Sequence, residues 1–479
     1  MTRSTWGAFF APGVLLLLGA AVTVLAVPAA FQPHLPLALL LILIGTVTAF
    51  KVWNRPALGV AGTLALIALP WSTGEESQAF AHVALPDIGA AALVGIVAVR
   101  TLVVGDRGRL RSWVILPLAG VVLAGSAATL TAHDPVASIS GLIRYAEIFV
   151  VIPTATYLAL QSRGDLKLIL ATVMALGVLE GTLGAYQFYT GTGAGYGESS
   201  VRAVGTFGAY DIMAMANVVA YAMIAAAAVF AGLRGDRRVW GLLLLAALSL
   251  PLAFSLSRGW WAAAAVGVAV VVILAGRRGL AYLVLAGGLI LAIVAGAGSG
   301  SSGILAERFT GLYSMGSNYE QSVQDRYALW QASQDMWADH PVTGVGLKNF
   351  PRFRDAYASA GFSGGSDISE PGGEESRRVE LLTPHSLYWL ILAEQGLVGA
   401  LAYGALFLSL SVAGLKRLRS LERSSIEKIF GLLSVGFLAS YLTWGIYGDV
   451  GGSTMVLNAV LLGGLVWLAS GARLEEEAG

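Results

Sequence analysis

Apolar runs near twenty residues long recur from one end of this sequence to the other. A run of that length spans the hydrocarbon core of a bilayer as a helix. Inside lipid every backbone polar group needs a partner within the protein, so helices are the economical solution. Charge supports the same reading. Charged residues make up 12% of the 479 residues, against about 25% in soluble domains. The net charge of +1 argues against a nucleic-acid partner. With no cysteine, disulfides, thiolate metal sites and cysteine nucleophiles are excluded. Sixty glycines let helices approach closely. The expected fold is an all-α polytopic membrane protein of about 12–14 transmembrane helices.

Arg3 precedes an apolar stretch from Phe9 to Val27, and Ala26–Ala30 faintly resembles a cleavage site. The stretch is long for a signal peptide and further spans follow, so it reads as the first transmembrane helix. The full segmentation places spans near 8–27, 35–50, 57–70, 83–104, 113–131, 136–160, 166–189, 203–232, 239–256, 259–275, 279–297, 384–413, 427–446 and 453–471. Basic residues follow the even-numbered spans: Lys51 and Arg55, Arg107 to Arg111, Arg163 and Lys167, Arg234 to Arg238, Arg277 and Arg278, and Lys416 to Lys428. The positive-inside rule puts all these loops in the cytoplasm, with both termini, and so the protein in a plasma membrane. The opposite short loops hold two basic residues, Arg202 and Arg258.

This layout divides the chain into spans 1–11 (1–297), a large exterior, periplasmic loop (298–383), and the last three spans with a short cytoplasmic tail (384–479). The loop is too long for a simple connection. Its segment from Tyr319 to Ala338 has an amphipathic helical pattern. Asp339-His340-Pro341 should stop that helix, and a short second helix should follow Asn349. Residues 361–380, rich in Gly, Ser and Glu, read as a mobile loop.

Arg202 and Arg258 lie on the side that charge bias keeps poor in arginine. The plainer reading is snorkelling, or a pair with Glu198. The functional reading is a guanidinium cradle for a lipid-linked phosphate or pyrophosphate, because the planar fork of donors matches phosphate oxygens. His385 lies in Thr383-Pro384-His385-Ser386. Thr383 suits an N-cap and Pro384 the first helical position, which would put His385 in the first turn of span twelve. The positive helix end would keep the ring neutral, able to take a proton from a hydroxyl. The plainer reading is an interfacial histidine. His133 and His340 read as turn and helix-end residues. The glycines of 191–195 lack the strand and helix that a nucleotide loop needs. No histidine pair has metal-ligand spacing, and no metal or cofactor is expected. Arg144, Glu147 and Glu180 fall inside spans, with Arg144 expected to partner Glu147 or Glu180, either as a structural ion pair or as a proton relay.

Four stretches resemble the O-antigen ligase and polymerase superfamily. They are Arg202-Ala203-Val204-Gly205-Thr206-Phe207; Ser257-Arg258-Gly259; Arg326 through Trp330 to Asp339-His340-Pro341 and on to Phe350; and His385-Ser386 with Glu394-Gln395-Gly396-Leu397-Val398-Gly399. The resemblance implies a helical, glycosyltransferase-C-like fold and a membrane glycosyltransferase. Its donor would be a glycan on undecaprenyl pyrophosphate, and its acceptor a glycan or a lipid core such as that of lipid A. Arg258 and Arg326 would hold the pyrophosphate, with Arg202 helping, and His385 would activate or position the acceptor hydroxyl. Transfer would invert the anomeric centre without a metal. Gly208-Ala209-Tyr210-Asp211 departs from the family's continuation, and Ser386 stands where Asn is common. The long loop, through Tyr313, Tyr319, Trp330 and Trp337, would stack on sugars. Ligase and polymerase are not separable by these motifs. A lipid or polysaccharide transporter is the competing class, but its essential groups should sit near the midplane.

Overall fold

The computed structural model describes residues 45, 47–69, 72–73, 83–104, 113–196, 202–209, 211–276, 321–359, 361–369, 376–472 and 474. The expected spans 8–27 and 279–297 lie outside them, as do most of 35–50 and Glu198, Tyr313 and Tyr319. The chain is an all-α polytopic membrane protein. Among the described residues seven helices are long and apolar enough to cross a bilayer. In chain order the helices are α1 (Ala57–Ala68, ending in a 3-10 turn), α2 (Leu85–Val104), α3 (Ile115–Leu130), α4 (Pro135–Ala159), α5 (Arg163–Thr190), α6 (Ala214–Gly232), α7 (Arg238–Phe254), α8 (Arg258–Ala275), α9 (Gln321–Asp339), α10 (Phe350–Tyr357), α11 (Leu387–Ser420), α12 (Ile426–Trp444) and α13 (Met455–Ser470). A π-helical turn over Glu147–Val151 interrupts α4.

The bundle is built around α6, an alanine-rich helix buried along nearly its whole length. It packs against α5, α7, α8 and α12. Small side chains suit this position, because helix association in lipid depends on close packing rather than on hydrophobic expulsion from water. Asn217 on α6 donates to Thr454 Oγ1 at 2.7 Å, a polar tie to the start of α13.

The two ends differ. At one, α9, α10 and the first turns of α11 build a small cap with its own core of Leu329, Met336, Val345, Phe350 and Leu390. Strands β4 (Gly365–Ser369) and β5 (Ser376–Glu380) form a hairpin. It is joined on its β4 edge by β3 (Gly195–Tyr196). A separate two-residue pairing, β1 (Ser72–Thr73) with β2 (Val83–Ala84), precedes α2. At the opposite end Ser162 and Asp165 close a capping box on α5. There Arg55 pairs with Asp165 at 2.7 Å and Arg163 with Glu427 at 2.8 Å.

Three expectations need correction. Residues 361–380 carry more order than a mobile loop, since both strands of the hairpin fall in them. The expected span 203–232 begins as helix only at Ala214; residues 202–209 are turns folded into the bundle. Span twelve does not start with Thr383 and Pro384 as cap and first residue. Ser386 is the N-cap, and His385 stands outside the helix with φ +47°.

α11 is also divided, because Gly396 has φ 59° and ψ −155° inside it. The loop after α9 fills that break. Leu397 N donates to Pro341 O at 2.9 Å and Val398 N to Val342 O at 3.1 Å. In return Val345 N donates to Ala393 O at 2.9 Å and Gly346 N to Glu394 O at 3.0 Å. A Cβ on Gly344 or Gly396 would run into the facing backbone. Two sequence motifs some fifty residues apart are therefore halves of one interlock.

Candidate active site at the capped end

Arg202 begins a segment that turns back into the bundle. α5 ends at Thr190, with Gly191 left-handed as its cap. This accounts for the first glycine of the 191–195 string without a phosphate. Ala194 and Arg202 then pair through their backbones. Arg202 is 6% exposed. Ala203 N donates to Phe254 O at 3.1 Å, which sets the segment against the end of α7. Farther along, Asp211 accepts from Ser453 N at 2.8 Å and Ser453 Oγ at 2.6 Å. The segment thus spans from the α7 end to the loop before α13.

Arg258 opens α8, directly after a turn in which Leu256 has φ +51°. Its neighbour Trp260 stacks on Trp444 with centroids 4.4 Å apart. Gly259 lies against Trp444 and Tyr447. One wall of the α8 start is therefore the 444–449 segment.

The same segment backs His385. Leu387 N donates to Gly445 O at 2.8 Å. Asp449 Oδ2 lies 3.7 Å from His385 Nδ1, within ion-pair reach, and accepts a short hydrogen bond from Thr383 Oγ1. On the other side Trp330 of α9 donates to Pro384 O at 3.0 Å and approaches Tyr447. Arg326, one turn earlier on α9, is close enough for its charge to act on the imidazole. The His385 pKa is lowered from its ordinary value: desolvation is the largest influence, Asp449 opposes it, and Arg326 adds to it. The ring remains 38% exposed, so a ligand can reach it.

Arg326 and His385 thus share one neighbourhood. Arg258 stands on the other side of the 444–449 segment, and Arg202 precedes Ala203, whose amide is bound at the end of α7 four residues before Arg258. Sequence reasoning did not single out Asp449, a lone carboxylate in a short loop with no local pattern to mark it. The expected pair of Arg144 with Glu147 is present, with Asp87 added to it, while Glu180, the alternative partner, is bound elsewhere. Arg144 binds Asp87 at 2.7 Å and Glu147 at 2.8 Å, whereas Glu180 accepts from Thr206 N at 2.9 Å and Thr206 Oγ1 at 2.8 Å. His133 and His340 both pack on Phe353, and Asp134 caps α4. Trp337 donates to Pro341 O at 3.3 Å beside the interlock.

Residues 242–404 match the family model described as O-antigen ligase. This region is an O-antigen ligase domain. It runs from α7 into α11 and holds Arg258, Arg326, His385 and both halves of the interlock; Arg202 and Asp449 flank it. No curated protein matches the chain. The O-antigen ligase family carries a broad ligase or polymerase type of function, performed by a glycosyltransferase-like membrane enzyme.

Proposed function

We propose that the chain moves a glycan from a polyprenyl pyrophosphate, undecaprenyl pyrophosphate in a bacterial envelope, onto an acceptor hydroxyl at the outer face of the inner membrane. The capped end faces outward, both termini lie in the cytoplasm, and the lipid A core is the model acceptor. The observation that carries this reading is the pairing of His385 with Asp449 and Arg326, across one short segment from Arg258.

Each group has a task. The acceptor oxygen attacks the anomeric carbon while its proton passes to His385. The bond from that carbon to the pyrophosphate oxygen breaks, its electron pair leaves with the pyrophosphate, and the anomeric centre inverts. Arg258 and Arg326, helped by Arg202, stabilise the charge growing on the leaving group. Preorganised cations do this without reorganising during the reaction. Asp449 orients the ring so that one nitrogen faces the carboxylate and the other faces the hydroxyl. Proton transfer to a placed base supplies about 10²–10⁴-fold, and the remainder falls to the arginines.

The test uses the purified full-length chain, a polyprenyl-pyrophosphate glycan and a lipid-core acceptor. A single transfer to the foreign acceptor supports a ligase. A ladder of repeat lengths would make the protein a polymerase. Unchanged transfer in both His385→Ala and Arg258→Ala would end this assignment of roles, and no transfer by the unaltered chain would end the transferase reading.

A further inference from the structure

The backbone of residues 203–206 lies inside a bundle that crosses a membrane, and its amides have no helix to bind them. Irregular backbone at such depth persists only where the protein supplies every partner. Here all four amides are supplied. Ala203 N donates to Phe254 O at 3.1 Å. Val204 N and Gly205 N both donate to Gln187 Oε1, at 3.1 and 2.8 Å. Thr206 N donates to Glu180 Oε2 at 2.9 Å. Gln187 Nε2 returns a bond to Gly205 O at 2.8 Å, and Thr206 Oγ1 donates to Glu180 Oε1 at 2.8 Å.

Glu180 and Gln187 are seven residues apart on α5, two turns along one face. Ten residues separate Glu180 from the last residue of α5, so the segment reaches roughly 15 Å below that helix end. Glu180 is fully buried. Gly205 has φ +63°, and a Cβ there would collide with the Glu180 carboxylate. The carboxylate is therefore matched to this turn, and Arg202 is the residue at which the turn emerges.

We propose that Glu180 is a positioning residue: with Gln187 it holds the re-entrant backbone of residues 203–206 and so fixes where Arg202 is presented at the capped end. Its role is to accept two hydrogen bonds, and no proton needs to leave or enter it. This inference rests on the transferase reading for its effect on activity, but its structural half is measurable alone.

The chain has no cysteine, so a single introduced thiol reports on one place. Val204 is fully buried, and Val204→Cys should react slowly with a small methanethiosulfonate reagent. Adding Glu180→Ala should speed labelling about tenfold or more, because losing both hydrogen bonds to the turn raises the population of its open form. Glu180→Gln retains an acceptor and should stay close to the parent rate. In the transfer assay Glu180→Ala should lose about 10–100-fold, and Glu180→Gln much less. Combining Glu180→Ala with Arg202→Ala should cost little beyond either alone, since both act on one guanidinium. If Glu180→Ala does not accumulate, Gln187→Leu serves, with the same labelling and the same non-additivity expected.

Labelling that stays slow in the Ala and Leu variants would overturn the clamp. So would Glu180→Gln losing transfer as completely as Glu180→Ala while residue 204 stays protected, because that would assign the carboxyl a proton of its own to carry. Full losses that add in the double variant would separate Glu180 from Arg202. Absence of transfer by the unaltered chain would instead refute the transferase reading and leave the labelling result standing.

Discussion

Carboxylates do different work at the two ends of the bundle. At the uncapped end Glu427 binds the exposed Arg163, and Asp165 binds Arg55 while closing the capping box of its own helix through the amides of Gln161 and Ser162, so the acids there staple and cap straight helices. At the capped end Glu180, Asp211, Asp325 and Glu394 accept from backbone amides, and from hydroxyls in three of the four. Asp325, 2% exposed, takes Ser363 N at 2.8 Å and Ser363 Oγ at 2.6 Å, while Glu394 takes Phe350 N at 3.2 Å. Ion pairs between exposed side chains tolerate small shifts and contribute little. Buried carboxylates bonded to irregular backbone fix shape, and losing one leaves amides unsatisfied. The lesson is that the capped end spends its acidic residues on holding loops in place, which is what an active site assembled from loops requires.

The sharpest way to break this contrast is at the proposed chemistry. His385→Ala should reduce transfer by about 10²–10⁴-fold with no matching change in thermal unfolding, and Arg258→Ala should be comparably severe. Arg258→Lys should also fail, because an ammonium cannot reproduce the fork of donors. Equal transfer by the Lys variant would reduce that arginine to a simple charge.

Next in size is the interlock. Gly396→Val should destabilise the protein by about 3 kcal/mol or more, read as a lowered midpoint in detergent. The matched control is Gly404→Ala, lower on the same helix, where a Cβ meets nothing within 4 Å. Its midpoint should hold or rise slightly.

A subtler effect is the pH profile. His385 carries a lowered pKa, so its neutral form prevails above about pH 6.5, the ordinary value. Transfer should be flat there and fall only on a more acidic limb. Asp449 raises that pKa against desolvation, so Asp449→Asn should move the limb to still lower pH. A limb moving upward would contradict the assigned neighbourhood. The sign for stability agrees: a ring that resists protonation when folded disfavours folding as pH falls through the unfolded value.

The smallest effect belongs to the other end. Arg163 has a side chain 64% exposed, and Arg163→Ala should cost at most about 1 kcal/mol, with transfer unchanged. A large loss of transfer there would mean the ends are not divided in this way.

Helix content was legible because hydropathy is local: the expected spans 136–160 and 166–189 match α4 and α5 to within a few residues. The failures came where tertiary partners override local pattern. Residues 203–213 are apolar enough to pass for the start of a span, yet Glu180 and Gln187, about twenty residues earlier, bind the amides of Val204, Gly205 and Thr206 into turns. Thr383 and Pro384 look like a helix start, but the backbone of α12 at Gly445 takes the Leu387 amide and shifts the start past His385. At the site, Arg326 and His385 were marked by motif, and the structure places their charges within mutual reach. Asp449 was not, because its relevance depends on a contact 64 residues away in sequence. The hairpin escaped because Gly, Ser and Glu have weak strand preference, and β3 supplies its pairing from a distant part of the chain.

The seam between residues 341–346 and 393–398 bears on how such proteins can be engineered. Neither side of it has a complete set of backbone partners without the other, so the cap is no detachable module resting on a membrane base. A chimaera that swaps only the stretch before His385 would inherit half a joint. Exchanges between relatives should be cut outside Pro341 and Gly399, so that both halves travel together.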